Sequence, residues 1–329
     1  MRPGKWLIIL ILLSAGIWML QFFLFRQPAI FSSNLKTCLY DNGWWVRRPA
    51  KIVMVGGSNA MNSIIANDVA RMNNMQAGDV VNLGMNQATP FEAHVSLQKY
   101  RARFGPPQAV YYTMTARFFY QGYQVEKDYE RIFLSLAQWR ELACAGISNN
   151  YFFPFNIWLN SLHFQPRHKL SQFQLSTEKT IQNNGYQVQY HHDFDKENLR
   201  PVFFPHPRRD LFPVSAFQVQ HFKAMAEECQ RDGIPFFVVL TPVYATLYQN
   251  EHQHPERYAD LLQTLNAGMP GYRVVGSMNP AAYQLSYEHF INQDHLSDTG
   301  AQIYTRMVFA DLRQQAALSP APLRLLFTY

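Results

Sequence analysis

Five short apolar runs, each rich in β-branched or aromatic residues, constrain this chain more than any other feature. They are Lys51 to Val55 (KIVMV), Asp79 to Leu83 (DVVNL), Ala109 to Thr113 (AVYYT), Pro235 to Leu240 (PFFVVL) and Tyr272 to Val275 (YRVV). Runs this short fit single buried strands, whereas a buried helix needs about ten residues or more. Helical periodicity fills the gaps: Phe91 to Phe104, Val214 to Asp232 opening at Ser215 and stopping at Gly233, Arg257 to Leu265, and a last helix from Thr299 to Ala316. Strand and helix in alternation predict an α/β domain over 51–329, built on a parallel sheet with helices on both faces. The rhythm lapses between 120 and 213, a stretch rich in Phe, Tyr, Asn, Gln, His and Pro. It reads as an insertion on the ligand-facing side, with some helix near Glu126 to Cys144.

Ahead of this domain, Trp6 to Phe25 (WLIILILLSAGIWMLQFFLF) is an uncharged run of 20 residues, about enough for a helix to cross a hydrocarbon layer of ~30 Å. Arg2 and Lys5 precede it, and positive charge before such a run favours an N-terminus inside and the remainder exported. No A-x-A cleavage signal and no lipobox cysteine follow. The expectation is an uncleaved signal anchor over 1–26 in the inner or cytoplasmic membrane, a polar connector over 27–50, and an extracytoplasmic domain beyond it, with a cleaved signal peptide and a buried core helix as the alternatives for the apolar run.

Composition narrows the partners. With 48% hydrophobic and 16% charged residues, the chain carries enough apolar mass for a large core and too little charge for disorder. The net charge of +6 comes from 29 Lys and Arg against 23 Asp and Glu, scattered without a basic run, so nucleic acid is not an expected partner. Cys38, Cys144 and Cys229 lack C-x-x-C spacing, which removes zinc fingers and redox motifs. His191, His192, Asp193 and Asp195 share one polar loop, but adjacent histidines rarely converge on one ion, so no metal and no cofactor are expected.

Ligands of open parallel sheets bind beyond the carboxyl ends of the strands. After the first strand stands Ser58, between Gly57 and Asn59, where a sharp strand-to-helix turn would expose the hydroxyl and aim backbone N–H groups at a developing oxyanion. After the second stands Gly84, in Asn82-Leu83-Gly84-Met85-Asn86, and Thr115 follows the third. At the mouth of the final helix stands His295, in Asn292-Gln293-Asp294-His295-Leu296. A serine hydroxyl needs a base to take its proton, and imidazole suits that task.

These residues resemble the SGNH, or GDSL-like, hydrolase superfamily in three respects: a hydrophobic strand running into Gly-x-Ser near the domain's start, an N-x-G strand end, and a His-Leu block before the last helix. The stretch Phe290 to Thr305 (FINQDHLSDTGAQIYT) is similar to the D-x-x-H-L-N-x-x-G-A pattern of membrane-anchored members related to the D-alanyl transfer protein of teichoic acid biosynthesis and to polysaccharide O-acetyltransferases. The resemblance implies a flavodoxin-like three-layer α/β/α fold and acyl transfer or ester hydrolysis through a Ser58 acyl-enzyme. In that chemistry His295 is the base, Asn292 or Asp294 orients it, and Gly57, Asn59, Gly84, Asn86 and Thr115 surround the oxyanion and substrate. It further implies an acceptor that is an envelope glycan or lipid-linked polymer, and a multi-spanning acyl-donor protein as partner. Two positions depart from the pattern. Asn292 stands where the family has Asp, and Thr113, Thr115 and Arg117 stand where its third block supplies an Asn.

Each feature also has a plainer reading. Serine in a Gly-rich turn is a common helix cap, and Gly84 alone is a strand-end turn residue. His295 alone fits a surface histidine, with Asp298 capping the helix behind it. The segment Gly56-Gly57-Ser58-Asn59-Ala60 approximates the G-x-S-x-G elbow of α/β-hydrolases, but that fold places its elbow after several strands. Tyr111, Tyr112, Phe118, Phe119 and Tyr120 fit either a sugar groove or ordinary packing. A non-catalytic binding or assembly protein on the same fold is the alternative function.

Overall fold

The computed structural model describes residues 12–16, 46, 48–85, 88–114, 116–119, 136–145, 183–186, 214–244, 261, 265, 272–292 and 294–317. Among the described residues five strands form one sheet in which every pairing is parallel: β1 (Ile52–Gly56), β2 (Val80–Asn82), β3 (Ala109–Met114), β4 (Phe236–Leu240) and β5 (Tyr272–Gly276). Their order is β2-β1-β3-β4-β5. The chain runs outward from β1 to β2 and returns to the other side of β1 for β3, so a topological switch point opens between the carboxyl ends of β1 and β3.

The α-helices among the described residues are α1 (Ser58–Ser63), α2 (Ala66–Met72), α3 (Pro90–Phe104), α4 (Leu136–Cys144), α5 (Ala216–Arg231) and α6 (Asp298–Ala317). Leu261 and Leu265, both buried, are also helical. The chain divides into two units. One comprises 1–42 and 125–177, described only at 12–16 and 136–145, both helical until Ala145; the other comprises 43–124 and 178–329 and holds the sheet.

Strand alternation explains which helices lie where, since successive side chains point to opposite faces. Ile52, Met54, Tyr111, Phe237, Val239 and Val275 share a core with Val69 and Ala70 of α2 and with Tyr304, Val308 and Phe309 of α6. Tyr111 stacks on Phe237 with centroids 4.8 Å apart and meets Phe309 at 5.4 Å. On the other face Tyr112, Phe236 and Tyr272 surround Phe222 of α5, with centroids 5.4 to 5.9 Å from it. Thus Tyr111, Tyr112, Phe118 and Phe119 of the aromatic cluster are buried packing, and Tyr120 lies outside the described residues. Cys229 of α5 lies in this interior, and burial pushes its thiol up to about 12, leaving it inert.

Local chemistry fixes the element ends. Thr89 and Glu92 form a capping box around Pro90 at the start of α3. Ser215 caps α5 by accepting from Gln218 N–H, and Gly233, at φ +68°, turns the chain out of it. Ser297 rather than Asp298 caps α6: its hydroxyl accepts from Gly300 N–H at 3.2 Å, while Asp298 accepts from Tyr186 and Gln302. Asn183–Tyr186, within the expected insertion, lies along the β2 edge, where Asn82 N–H donates to Asn184 C=O at 2.9 Å and Tyr186 enters the core.

Of the N-terminal apolar run, Leu12–Gly16 is helical and exposed, and its other residues lie outside the described set. Among the described residues no helix is long and apolar enough to cross a membrane.

Candidate active site

β1 ends on Gly56, at φ +142°, where a Cβ would stand 2.6 Å from Thr113 C=O; the strand can therefore turn hard against β3 only as glycine. Gly57 follows as the N-cap of α1, tightly packed as well, since a Cβ there would lie 2.7 Å from Phe118 Cε2. Ser58 and Asn59 are thus the first two residues of α1, whose N–H groups have no acceptor within a helix. Ala60 and Met61 N–H already donate to Gly57 C=O. Ser58 follows the first strand in a strand-to-helix turn, as expected, but the turn buries it to 2% exposure where an exposed hydroxyl was expected.

Gly84 is needed for space. A Cβ there would stand 2.7 Å from both Ala60 Cβ and Met61 N, so β2's exit and α1 close on each other through it. Its N–H donates to Asn82 Oδ1 at 2.9 Å, so the donor expected to face an oxyanion is taken up inside the turn. Asn82, fully buried, also donates from Nδ2 to Ala60 C=O at 2.6 Å and Ile64 C=O at 3.1 Å, holding the end of α1. That clamp was not foreseen from sequence; an Asn in a β-branched strand, a poor strand former, is the signal that marked it. Asn86 and Thr115 lie outside the described residues.

The histidine loop folds on itself. Phe290 and Leu296 form an antiparallel bridge, and Ile291 N–H donates to His295 C=O at 3.0 Å. Asn292 Oδ1 sits at the centre of the turn, 3.1 Å from Asp294 N and 2.9 Å from both His295 N and His295 Nδ1. Asp294 Oδ1 lies 2.9 Å from the same Nδ1. Sequence left open whether Asn292 or Asp294 meets the ring; the structure brings both to one nitrogen. Two acceptors facing Nδ1 fix a proton there and leave Nε2 as the basic nitrogen. The charge that Asn292 lacks is supplied by Asp294.

Serine turn and histidine loop are joined directly. Asn59 Nδ2 donates to Asp294 C=O at 2.9 Å and to Thr241 Oγ1, just past β4, at 3.2 Å. Thr305 of α6 fastens the far end of α1, accepting from Ile65 N–H and donating to Ser63 C=O. Among the described residues no hydrogen bond links Ser58 Oγ to the imidazole.

No protein-family model and no curated protein matches the chain. The site's chemistry therefore rests on its own geometry. A hydroxyl at a strand-to-helix turn, two N–H groups in a first helical turn, and an imidazole held at Nδ1 by amide and carboxylate make up the parts of a nucleophile and base pair. Among the described residues no group of three or more His, Cys, Asp and Glu side chains has the geometry to hold a metal ion, and the 191–195 loop lies outside them.

Proposed function

We propose that this chain is a membrane-anchored, extracytoplasmic serine esterase or O-acyltransferase of the SGNH type, with a flavodoxin-like α/β/α domain. The observation that supports it most is the His295 imidazole: Nδ1 is held by Asn292 and Asp294, and the loop bearing it is bonded to the residue after Ser58. In this reading Nε2 takes the Ser58 proton as Oγ attacks an acyl carbonyl, and the tetrahedral oxyanion faces the Ser58 and Asn59 N–H groups. Collapse breaks the bond to the leaving group, which departs with the proton from Nε2. The acyl-Ser58 ester then meets a glycan hydroxyl or water, deprotonated by the same nitrogen. The acyl group passes to that oxygen and Ser58 recovers its proton. Asp294 stabilises the imidazolium formed in each half.

An apolar run before the domain supports a membrane anchor, and an anchor supports an envelope glycan or lipid-linked polymer as acceptor, with a multi-spanning membrane protein supplying the acyl group. The test is hydrolysis of a chromogenic acetyl ester by the full-length protein in detergent. Turnover abolished by Ser58→Ala is expected; equal turnover by that variant would refute the assignment.

The burial of Ser58 and its lack of a bond to His295 favour a second reading, a binding or assembly protein of an envelope polysaccharide system built on the same fold. A folded wild type without esterase activity would support it.

A further inference from the structure

We infer that Asn59 is the positioning residue of this site, the side chain that sets His295 against Ser58; the inference rests on the serine-histidine reading above. Asn59 is 1% exposed, and its Oδ1 is buried without a hydrogen-bond partner. A carbonyl can only accept, so the contact with Asp294 C=O fixes which amide atom is Nδ2 and leaves the oxygen unmet. Burying an unmet polar atom is unfavourable, and an apolar side chain would avoid it. The amide is therefore placed for its two donors.

Those donors reach the two elements that must be held. Thr241 leaves β4, whose last residue, Leu240, is pinned to α6 by the Tyr304 hydroxyl at 2.7 Å. Asp294 C=O belongs to the loop that Asn292 Oδ1 closes from within. That inner closure fixes the loop's shape but not its distance from α1. The Asn59 contact ties it to the residue covalently joined to Ser58. The Asn59 side chain thus acts through His295 and Asp294, and both Nδ2 protons are committed to the protein rather than to substrate.

The test uses full-length protein in detergent with two readouts, the labelling rate by a fluorophosphonate probe and the downfield Nδ1–H proton resonance of His295, assigned by its loss in His295→Gln. Asn59→Asp keeps the volume and removes the donors; Asn59→Ala covers the case in which a buried carboxylate prevents folding. For the variant that folds, labelling is expected to slow about 10- to 100-fold, the scale of a misplacement near 1 Å, with probe affinity unchanged and the Nδ1–H resonance broadened by solvent exchange. Thr241→Ala, removing one of two anchors, is expected to slow labelling about threefold. A folded variant with wild-type labelling and an unchanged resonance would overturn the inference. If wild type never labels but the resonance still broadens in the Asn59 variant, the positioning role stands and the esterase reading fails, so the two are told apart.

Discussion

The carboxylate that meets the His295 ring belongs to Asp294. The Asn at 292, where the resembling family carries Asp, looked from sequence like a lost charge. The structure shows Asp294 Oδ1 at 2.9 Å from His295 Nδ1, the same distance as Asn292 Oδ1. The expected consequence is asymmetric. Asp294→Asn should lower kcat by about 10³–10⁴, the scale seen when a triad aspartate is neutralised, whereas Asn292→Asp should gain little, since a carboxylate is already there. Steady-state kinetics on both variants decides it; equal, small effects would remove Asp294 from the mechanism. Gly84 illustrates a residue legible for the wrong reason. Its spacing marked it as an oxyanion donor, but its N–H is spent on Asn82 and its missing Cβ lets α1 approach. Gly84→Ala should cost about 1–3 kcal/mol through overpacking, read as a lowered midpoint in denaturant, with loss of activity following the loss of fold.

Elements were legible where periodicity and caps agreed. β3, α3, α5 and α6 fall within a residue or two of the expected bounds because their apolar runs are flanked by cap chemistry the sequence displays, such as Thr89 with Glu92 and Ser215 before Ala216. The break between α1 and α2 was not legible. It is imposed by tertiary bonds, Asn82 to the α1 carbonyls and Thr305 to Ser63 and Ile65. The start of β2 depends on charge. Burial works to raise the Asp79 carboxyl, but hydrogen bonds from Lys51 and Gln76 N–H and the charges of Lys51 and Arg48 outweigh it and hold it below the ordinary 3.8. A carboxyl depressed in the native state stabilises above its unfolded pKa and loses that contribution as pH falls through the native one. Stability should therefore decline below about pH 4, and Asp79→Asn should remove that part of the slope. At neutral pH the variant should lose about 1 kcal/mol or less, because both cations are roughly half exposed. Denaturant midpoints at pH 7 and pH 3 for both proteins check the sign; a steeper acid slope in Asp79→Asn would refute it.

For the molecule as a whole, alternation of strand and helix announced a parallel α/β sheet, but the strand order was not written in any run. That order places the exit of β1 at the switch point, and only then do Ser58 and His295, 237 positions apart by number, come to one edge. In the proposed reading this edge activates Ser58. The deciding measurement is labelling of the full-length protein with a fluorophosphonate probe, alongside Ser58→Ala and His295→Ala checked for folding by circular dichroism. Labelled wild type with both variants unlabelled is the predicted result. A folded wild type that takes up no probe, or a Ser58→Ala variant that still does, would show that Ser58 is not an activated nucleophile.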